Sequence, residues 1–268
     1  MKLKHLIRKT ELRFKAAGLH YGHGTGNARD EAAFLVIRGL GLRFDVDLAT
    51  DVPEEKVEKL IQRRIHRRIP AAYLLREAWL DGVRFYVDER AIVPRSHIAF
   101  LLKDLAAPRR VLDLCTGSGS LAILAARAFS RSQVTASDIS PRALAVAKKN
   151  LGLHGLGKRV RLVRSDLFRS IAGSFDLIVS NPPYVDAREM KALPEEYRHE
   201  PRLALAAGRD GLDLVKRILA EAREHLAPQG LLLCEVGGGR QALARAYPKL
   251  PFQWPHASVF ALRRKEMG

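Results

Sequence analysis

The tetrapeptide Asn181-Pro182-Pro183-Tyr184 carries the most specific chemistry in the sequence. Its two prolines fix φ and remove two backbone donors, so the Pro182 carbonyl is held outward with nothing in its own loop to satisfy it. Asn181 sets a side-chain carbonyl beside it. Two converging acceptors suit an –NH2 group, and Tyr184 adds a flat face for a planar amide or base. A plain turn accounts for Pro-Pro, but not for all four residues together at the end of an apolar run.

Upstream, VLDLCTGSGSLAILAA puts Asp113 at the end of one apolar run, with Gly117 and Gly119 in a tight turn before a helix that opens near Ser120. The turn is neither a GxGxxG dinucleotide loop, because Leu121-Ala122 follows, nor a P-loop, because no Gly-Lys-Ser/Thr is present. It brings backbone N–H groups against an uncharged or carboxylate part of a ligand. Asp138, about twenty residues on, ends the next apolar run, where a carboxylate accepts from two ribose hydroxyls. Asp166 follows the third run, in position to accept from an exocyclic adenine amine, with a helix N-cap as the equal alternative. Three acids at the ends of three successive runs describe an adenosine-carrying ligand across the top of a sheet.

Positioning these groups takes regular elements. β-branched runs at 111–114, 134–137, 160–163, 175–179 and 231–236 alternate with helical stretches, which predicts an α/β fold with a mostly parallel sheet covered by helices on both faces. A last run at 257–262 is expected as an antiparallel edge strand, reached through a short connection at 253–258. The first 70 residues read as helical. Leu3, Leu6, Ile7, Leu12 and Phe14 mark one amphipathic helix ending near Gly18, Asn27 caps a second, and Asp51 with Pro53 opens a third that stops before Pro70. Asp81-Gly82 between β-prone residues predicts a type I′ hairpin. The expected organisation is a helical substrate-recognition domain at 1–70, a hairpin linker at 71–96 and a catalytic domain at 97–268.

Of 268 residues, 46 are Lys or Arg and 29 Asp or Glu, a net charge of +17 that points to an acidic partner such as RNA or to an Arg-rich proteome. Hydrophobic residues at 47% exclude disorder as the main state. No apolar run approaches the roughly 20 residues of a membrane helix, so a soluble, cytoplasmic chain with no membrane partner is expected. Cys115 and Cys234 lack metal-ligand spacing, and small buried thiols with no metal are the expected reading.

The Gly turn, Asp138, Asp166 and NPPY together resemble the class I S-adenosylmethionine-dependent methyltransferases, which have a Rossmann-like fold and modify planar amino groups. AIVPRS at 91–96 and EVGGGRQ at 235–241 resemble the protein-glutamine amide branch, whose members pair a helical N-terminal domain with this catalytic domain. YGHGT at 21–25 and PEEYRHEPRLALAAGRDGLD at 194–213 resemble its subgroup acting on the third large-subunit ribosomal protein more than the release-factor subgroup. The resemblance implies S-adenosylmethionine held by Asp113, Thr116, Gly117, Gly119, Asp138, Asp166 and Asn181. It implies catalysis by Asn181, Pro182 and Tyr184, with Pro183 joining them around the glutamine. The implied partner is a ribosomal protein, with ribosomal RNA in an assembly intermediate as a further contact.

Release-factor glutamine methylation and nucleic-acid adenine methylation stand as alternatives, as does a non-enzymatic RNA-binding factor, against which the intact cofactor residues count. Around this centre, Arg95 is either at the cofactor mouth with Ser96 or bracing the linker. His23 is read as a solvated loop residue or local cap rather than a substrate contact. Glu235 is divided between lining the pocket and a structural role.

Overall fold

The computed structural model describes residues 1–268. The chain opens with α1 (Leu3–Ala16), α2 (Ala28–Gly39), α3 (Glu55–Arg67) and a short α4 (Ala71–Leu75). Asn27 Oδ1 accepts from the Asp30 amide at 2.9 Å, the N-cap bond its side chain predicts. Asp51 does not cap α3. It pairs instead with Lys2 at 2.7 Å, and Glu54 takes the N-cap position without a side-chain bond. In α1 the periodicity places Leu3, Leu6 and Phe14 inside, while Leu12 is half exposed because Thr10 and Glu11 occupy the inner face. Thr10 satisfies its hydroxyl on the Leu6 carbonyl, and Glu11 is held by Arg8 and Lys15.

Strands β1 (Ala78–Leu80) and β2 (Val83–Phe85) pair antiparallel across Asp81 and Gly82, both at positive φ, as a type I′ turn requires. Ala78 packs with the helical bundle, whereas Leu80 and Phe85 belong to the core beneath the large sheet, so the hairpin joins two cores.

The remainder runs α5 (Ile98–Leu101), β3 (Arg110–Leu114), α6 (Ser120–Ala128), β4 (Gln133–Asp138), α7 (Pro141–Leu153), β5 (Val160–Arg164), β6 (Phe175–Ser180), α8 (Glu189–Ala192), α9 (Asp213–His225), β7 (Leu226–Glu235), α10 (Arg240–Ala246), β8 (Gln253–His256) and β9 (Val259–Arg263). The seven large-sheet strands lie in the order β5-β4-β3-β6-β7-β9-β8, with β9 and β8 antiparallel. Alternate residues feed opposite cores. Val111, Leu177 and Val179 meet α6, while Leu112, Leu114 and Ile178 meet Val215 and Ile218 of α9.

Two expectations change here. Residues 253–256 form a strand rather than a bare connection, and this strand, not β9, is the sheet edge; Pro255, with no N–H to give, is tolerated there. β7 begins at Leu226, five residues before the apolar run, because a bulge between its pairings to Phe175 and Leu177 absorbs Pro228 and Gly230.

Candidate active site

Reversals of backbone direction at the carboxyl ends of β3, β4 and β6 build the site. After β3, Cys115, Gly117 and Gly119 all have positive φ. A Cβ on Gly119 would lie 3.1 Å from that of Ala147, so glycine is needed for α6 and α7 to approach. Asp113 sits beneath this turn, fully buried, accepting from Thr116 Oγ1 at 2.5 Å and from the Ala122 amide at 2.9 Å. Its Oδ1 has no partner, and burial pushes its carboxyl up to about 7. Asp113, Thr116 and Gly119 shape the turn from within, and Gly117 is its member that lines the cavity over the strand ends.

A cavity of about 450 Å³ lies over β3, β4 and β5, lined by Gly117, Asp138, Ile139, Asp166, Leu167 and Leu203 among others. Asp138 is fixed by the amides of Gly117 at 2.9 Å and Ser140 at 2.8 Å, one on each oxygen, which leaves a lone pair on each. Burial raises its carboxyl against the opposing pull of those two amides. Asp166 stands at the rim, paired with Arg217 at 3.0 Å and only partly buried. Ile139 and Leu203, both lining this cavity, are large apolar side chains left open to solvent. Apolar walls with one inner carboxylate and one outer carboxylate match a nucleoside, flat and apolar in its base and hydroxylated in its sugar.

A second cavity of about 350 Å³ adjoins the first, lined by Arg95, Asn181, Pro182, Pro183, Tyr184 and Tyr197 among others. Asn181 and Pro183 line both cavities. Asn181 Nδ2 donates to the Arg95 carbonyl at 3.0 Å, and this bond aims the opposite atom, Oδ1, which is buried and without a partner. The Pro182 carbonyl accepts no hydrogen bond within the chain. An unpartnered buried acceptor beside a second free acceptor is a costly arrangement unless a ligand donor completes it. Tyr184 is seated by two glycines. A Cβ at Gly237 would fall 2.6 Å from its ring, and one at Gly211 would fall 2.5 Å from its carbonyl oxygen. EVGGGRQ therefore makes the space that Tyr184 fills.

The wall around Asn181 is held by charge. Arg95 grips Glu200 through two bonds of 2.7 and 2.6 Å, and the Val93 amide adds a third to the same carboxylate. Burial alone would raise the Glu200 carboxyl, but the bonds and charge of Arg95 together with the Val93 amide hold it below the usual range. Arg95 thus braces the linker and also borders the second cavity. His23 is neither solvated nor a cap, contrary to expectation. It is buried, its ring lies 4.4 Å from that of Tyr197, and its Nε2 lies 3.7 Å from Glu200. Burial pulls it down to about 4.

Arg64 is fully buried in α3 and bonds Glu31 at 2.5 Å, Glu196 at 3.1 Å and the His20 carbonyl at 2.7 Å, tying the helical bundle to the segment that follows NPPY. Glu235 is not among the residues that line the two cavities and accepts from Ser96 Oγ at 2.6 Å and the His97 amide at 3.2 Å, bonds that tie β7 to the segment before α5.

Residues 97–197 match the family model described as methyltransferase small domain. The ribosomal protein uL3 glutamine methyltransferase of Neisseria meningitidis serogroup B is 46% identical over 99% of this chain and 94% of its own length. That of Bordetella pertussis is 50% identical over 94% of this chain and 90% of its own. The chain belongs to this methyltransferase family. The solved methyltransferase structure from Pyrococcus furiosus shares the fold, with a TM-score of 0.51 over 69% of this chain and 90% of that one at 19% identity.

The resemblance of residues 194–213 assigned no individual roles within that segment. Glu200, 105 residues from Arg95, holds the cavity wall, and Leu203 and Ala204 line the nucleoside cavity from the long β6–β7 connection. The isolated bridge between Val185 and Ala206 folds that connection back over the site.

Proposed function

We propose that this protein transfers a methyl group from S-adenosylmethionine to the side-chain amide nitrogen of a glutamine in ribosomal protein uL3. The observation that carries the reading is Asn181, whose unpartnered Oδ1 stands at the junction of two cavities. The identity of the full-length relatives supports the ribosomal substrate.

In this reading Gly117, Asp138 and Asp166 border the nucleoside cavity and Asp138 holds the ribose. When bound, S-adenosylmethionine supplies an electrophilic methyl on a sulfonium centre. The obstacle is the nucleophile, because the amide nitrogen lone pair is delocalised into its own carbonyl. Asn181 Oδ1 and the Pro182 carbonyl accept the two amide N–H groups and fix the nitrogen, and Tyr184 holds the amide plane. Positioning of this kind reaches about 7–11 kcal/mol in favourable intramolecular reactions. The nitrogen gains the methyl as the sulfonium C–S bond breaks, takes on the positive charge and releases it as one amide proton, so carbonyl acceptors on the N–H groups suit the reaction better than an oxyanion hole. Tyr197 and the Arg95–Glu200 pair hold the wall against which the glutamine enters. The helical bundle, joined to that wall through Arg64, reads as the substrate-recognition part of the chain.

Parallel incubations of the protein and S-adenosylmethionine with purified uL3, a release factor or RNA, followed by mass spectrometry, test the reading. One glutamine peptide heavier by a single CH2 unit supports it; modification of a release-factor peptide or of adenine alone contradicts it.

A further inference from the structure

The net charge is unevenly spread. Residues 105–165, from the approach to β3 through β5, hold eleven Lys and Arg against Asp113 and Asp138 alone, a surplus of nine out of the seventeen for the whole chain. Asp113 is buried and Asp138 faces the nucleoside cavity, so neither neutralises the outer surface. None of the eleven bases forms an ion pair, although ion pairs are frequent elsewhere. Ten of the eleven are exposed.

Arg161 and Arg164 lie on β5, the sheet edge opposite β8, and Lys158 and Arg159 lead into that strand. A cavity of about 550 Å³ opens at the amino ends of the strands, away from both active-site cavities, lined by Arg110, Gln133, Lys158, Arg159 and Arg161 with no acidic residue. Its bases are held in place without being neutralised. Arg159 donates to the carbonyls of Phe129 and Ser132, and Arg110 lies over the Phe175 ring at 5.0 Å. Asp176 accepts from the backbone amides of Arg109 and Arg110, not from their side chains. Arg164, at the carboxyl end of β5, and Arg142, in the first turn of α7, extend the charge toward the nucleoside cavity.

Charge on an edge strand also prevents edge-to-edge pairing, but that needs only Arg161 and Arg164. It does not explain bases on the helices and loops beside the strand. An exposed basic surface with no acidic partner of its own attracts a polyanion.

We propose that the β5 edge, with the basic cavity at its amino end, is a docking surface for the phosphate backbone of RNA, by which the enzyme engages its protein substrate while that substrate is bound to ribosomal RNA. The choice of RNA rests on the ribosomal substrate proposed above. Contact of this type is sequence-independent and falls steeply with salt, each neutralised phosphate adding about 0.9 to the slope of log affinity against log salt.

The test is fluorescence anisotropy of a labelled RNA duplex of about 20 base pairs, titrated with full-length protein across about 50–200 mM KCl. Lys158→Glu/Arg161→Glu is expected to weaken binding at least about tenfold and flatten the salt slope by about 2. The same charge change on α3, Lys56→Glu/Lys59→Glu, is expected to leave the slope within about half of one contact of the unmodified protein. Equal weakening by the two variants, no binding by the unmodified protein, or tighter binding to phosphatidylglycerol vesicles than to RNA would each overturn the proposal. Methyl transfer to free uL3 is expected to be unchanged in Lys158→Glu/Arg161→Glu, while transfer to RNA-bound uL3 falls. Absence of transfer to either form by the unmodified protein would remove the ribosomal reading and leave the RNA-binding result to stand by itself.

Discussion

The two active-site cavities share Asn181 and Pro183 but are built by different means. The nucleoside cavity rests on turns at the ends of adjacent parallel strands, where Asp138 is fixed by the backbone amides of the neighbouring Gly117 turn and of Ser140. The glutamine cavity is assembled from distant pieces: the linker at Arg95, the loop at His23 and the long connection carrying Tyr197 and Glu200. The first is local and rigid by geometry. The second is held by buried charge, so substitutions in the two should fail in different measurements.

The largest expected effect is on the nucleoside side. Asp138→Ala should weaken S-adenosylmethionine binding about 100-fold, since a hydrogen bond to a charged group contributes about 1.5–3 kcal/mol. Calorimetry checks this, and an unchanged affinity would put the ribose elsewhere. Next, Glu200→Gln leaves Arg95 without its counter-charge. A broken buried pair costs about 3–5 kcal/mol, and the partial exposure of Arg95 argues for the lower end. Denaturant unfolding reads that loss. Turnover should drop about tenfold with cofactor affinity unchanged, because Glu200 acts by placing Arg95 and hence Asn181; a parallel loss of cofactor affinity would break the division between the cavities.

Gly237→Ala is smaller. A Cβ there meets the Tyr184 ring at positive φ, so the ring must shift, and KM for the protein substrate should rise several-fold, about 1 kcal/mol, while cofactor affinity holds. A separate effect appears only as the pH is lowered. His23 is held neutral in the fold, down to about 4 from an ordinary 6.5, so the unfolded chain takes up a proton first as pH falls. That contribution to stability is whole above pH 6.5 and is lost as pH drops through about 4, by at most about 3 kcal/mol. His23→Phe should flatten the profile between pH 6.5 and 5 in urea unfolding; an unchanged slope would show that His23 charges freely in the fold.

The same contrast governs what the sequence discloses. Period-two runs and Gly turns announce β3, β4 and β6 because their cause lies within a few residues, and Asp138 and NPPY follow from strand ends. Asp113 and Thr116 read as ligand groups by position, and their bonds to each other and to the Ala122 amide, which order the turn, are not legible from the strand-end position alone. The pairing of Arg95 with Glu200 and the burial of His23 depend on contacts across more than 100 residues, which no local pattern encodes. Strand β8 is hidden by Pro255, a residue that argues against a strand everywhere except at an edge.

The central claim is that Asn181 Oδ1, held open by the bond from Nδ2 to the Arg95 carbonyl, orients the glutamine amide for transfer. Turnover and S-adenosylmethionine affinity measured on one preparation of Asn181→Ala test it most directly. The expected result is a fall in turnover of at least about 100-fold, the size of effect that misplacing a reacting group produces, with cofactor affinity retained. Turnover near that of the unmodified protein would contradict it.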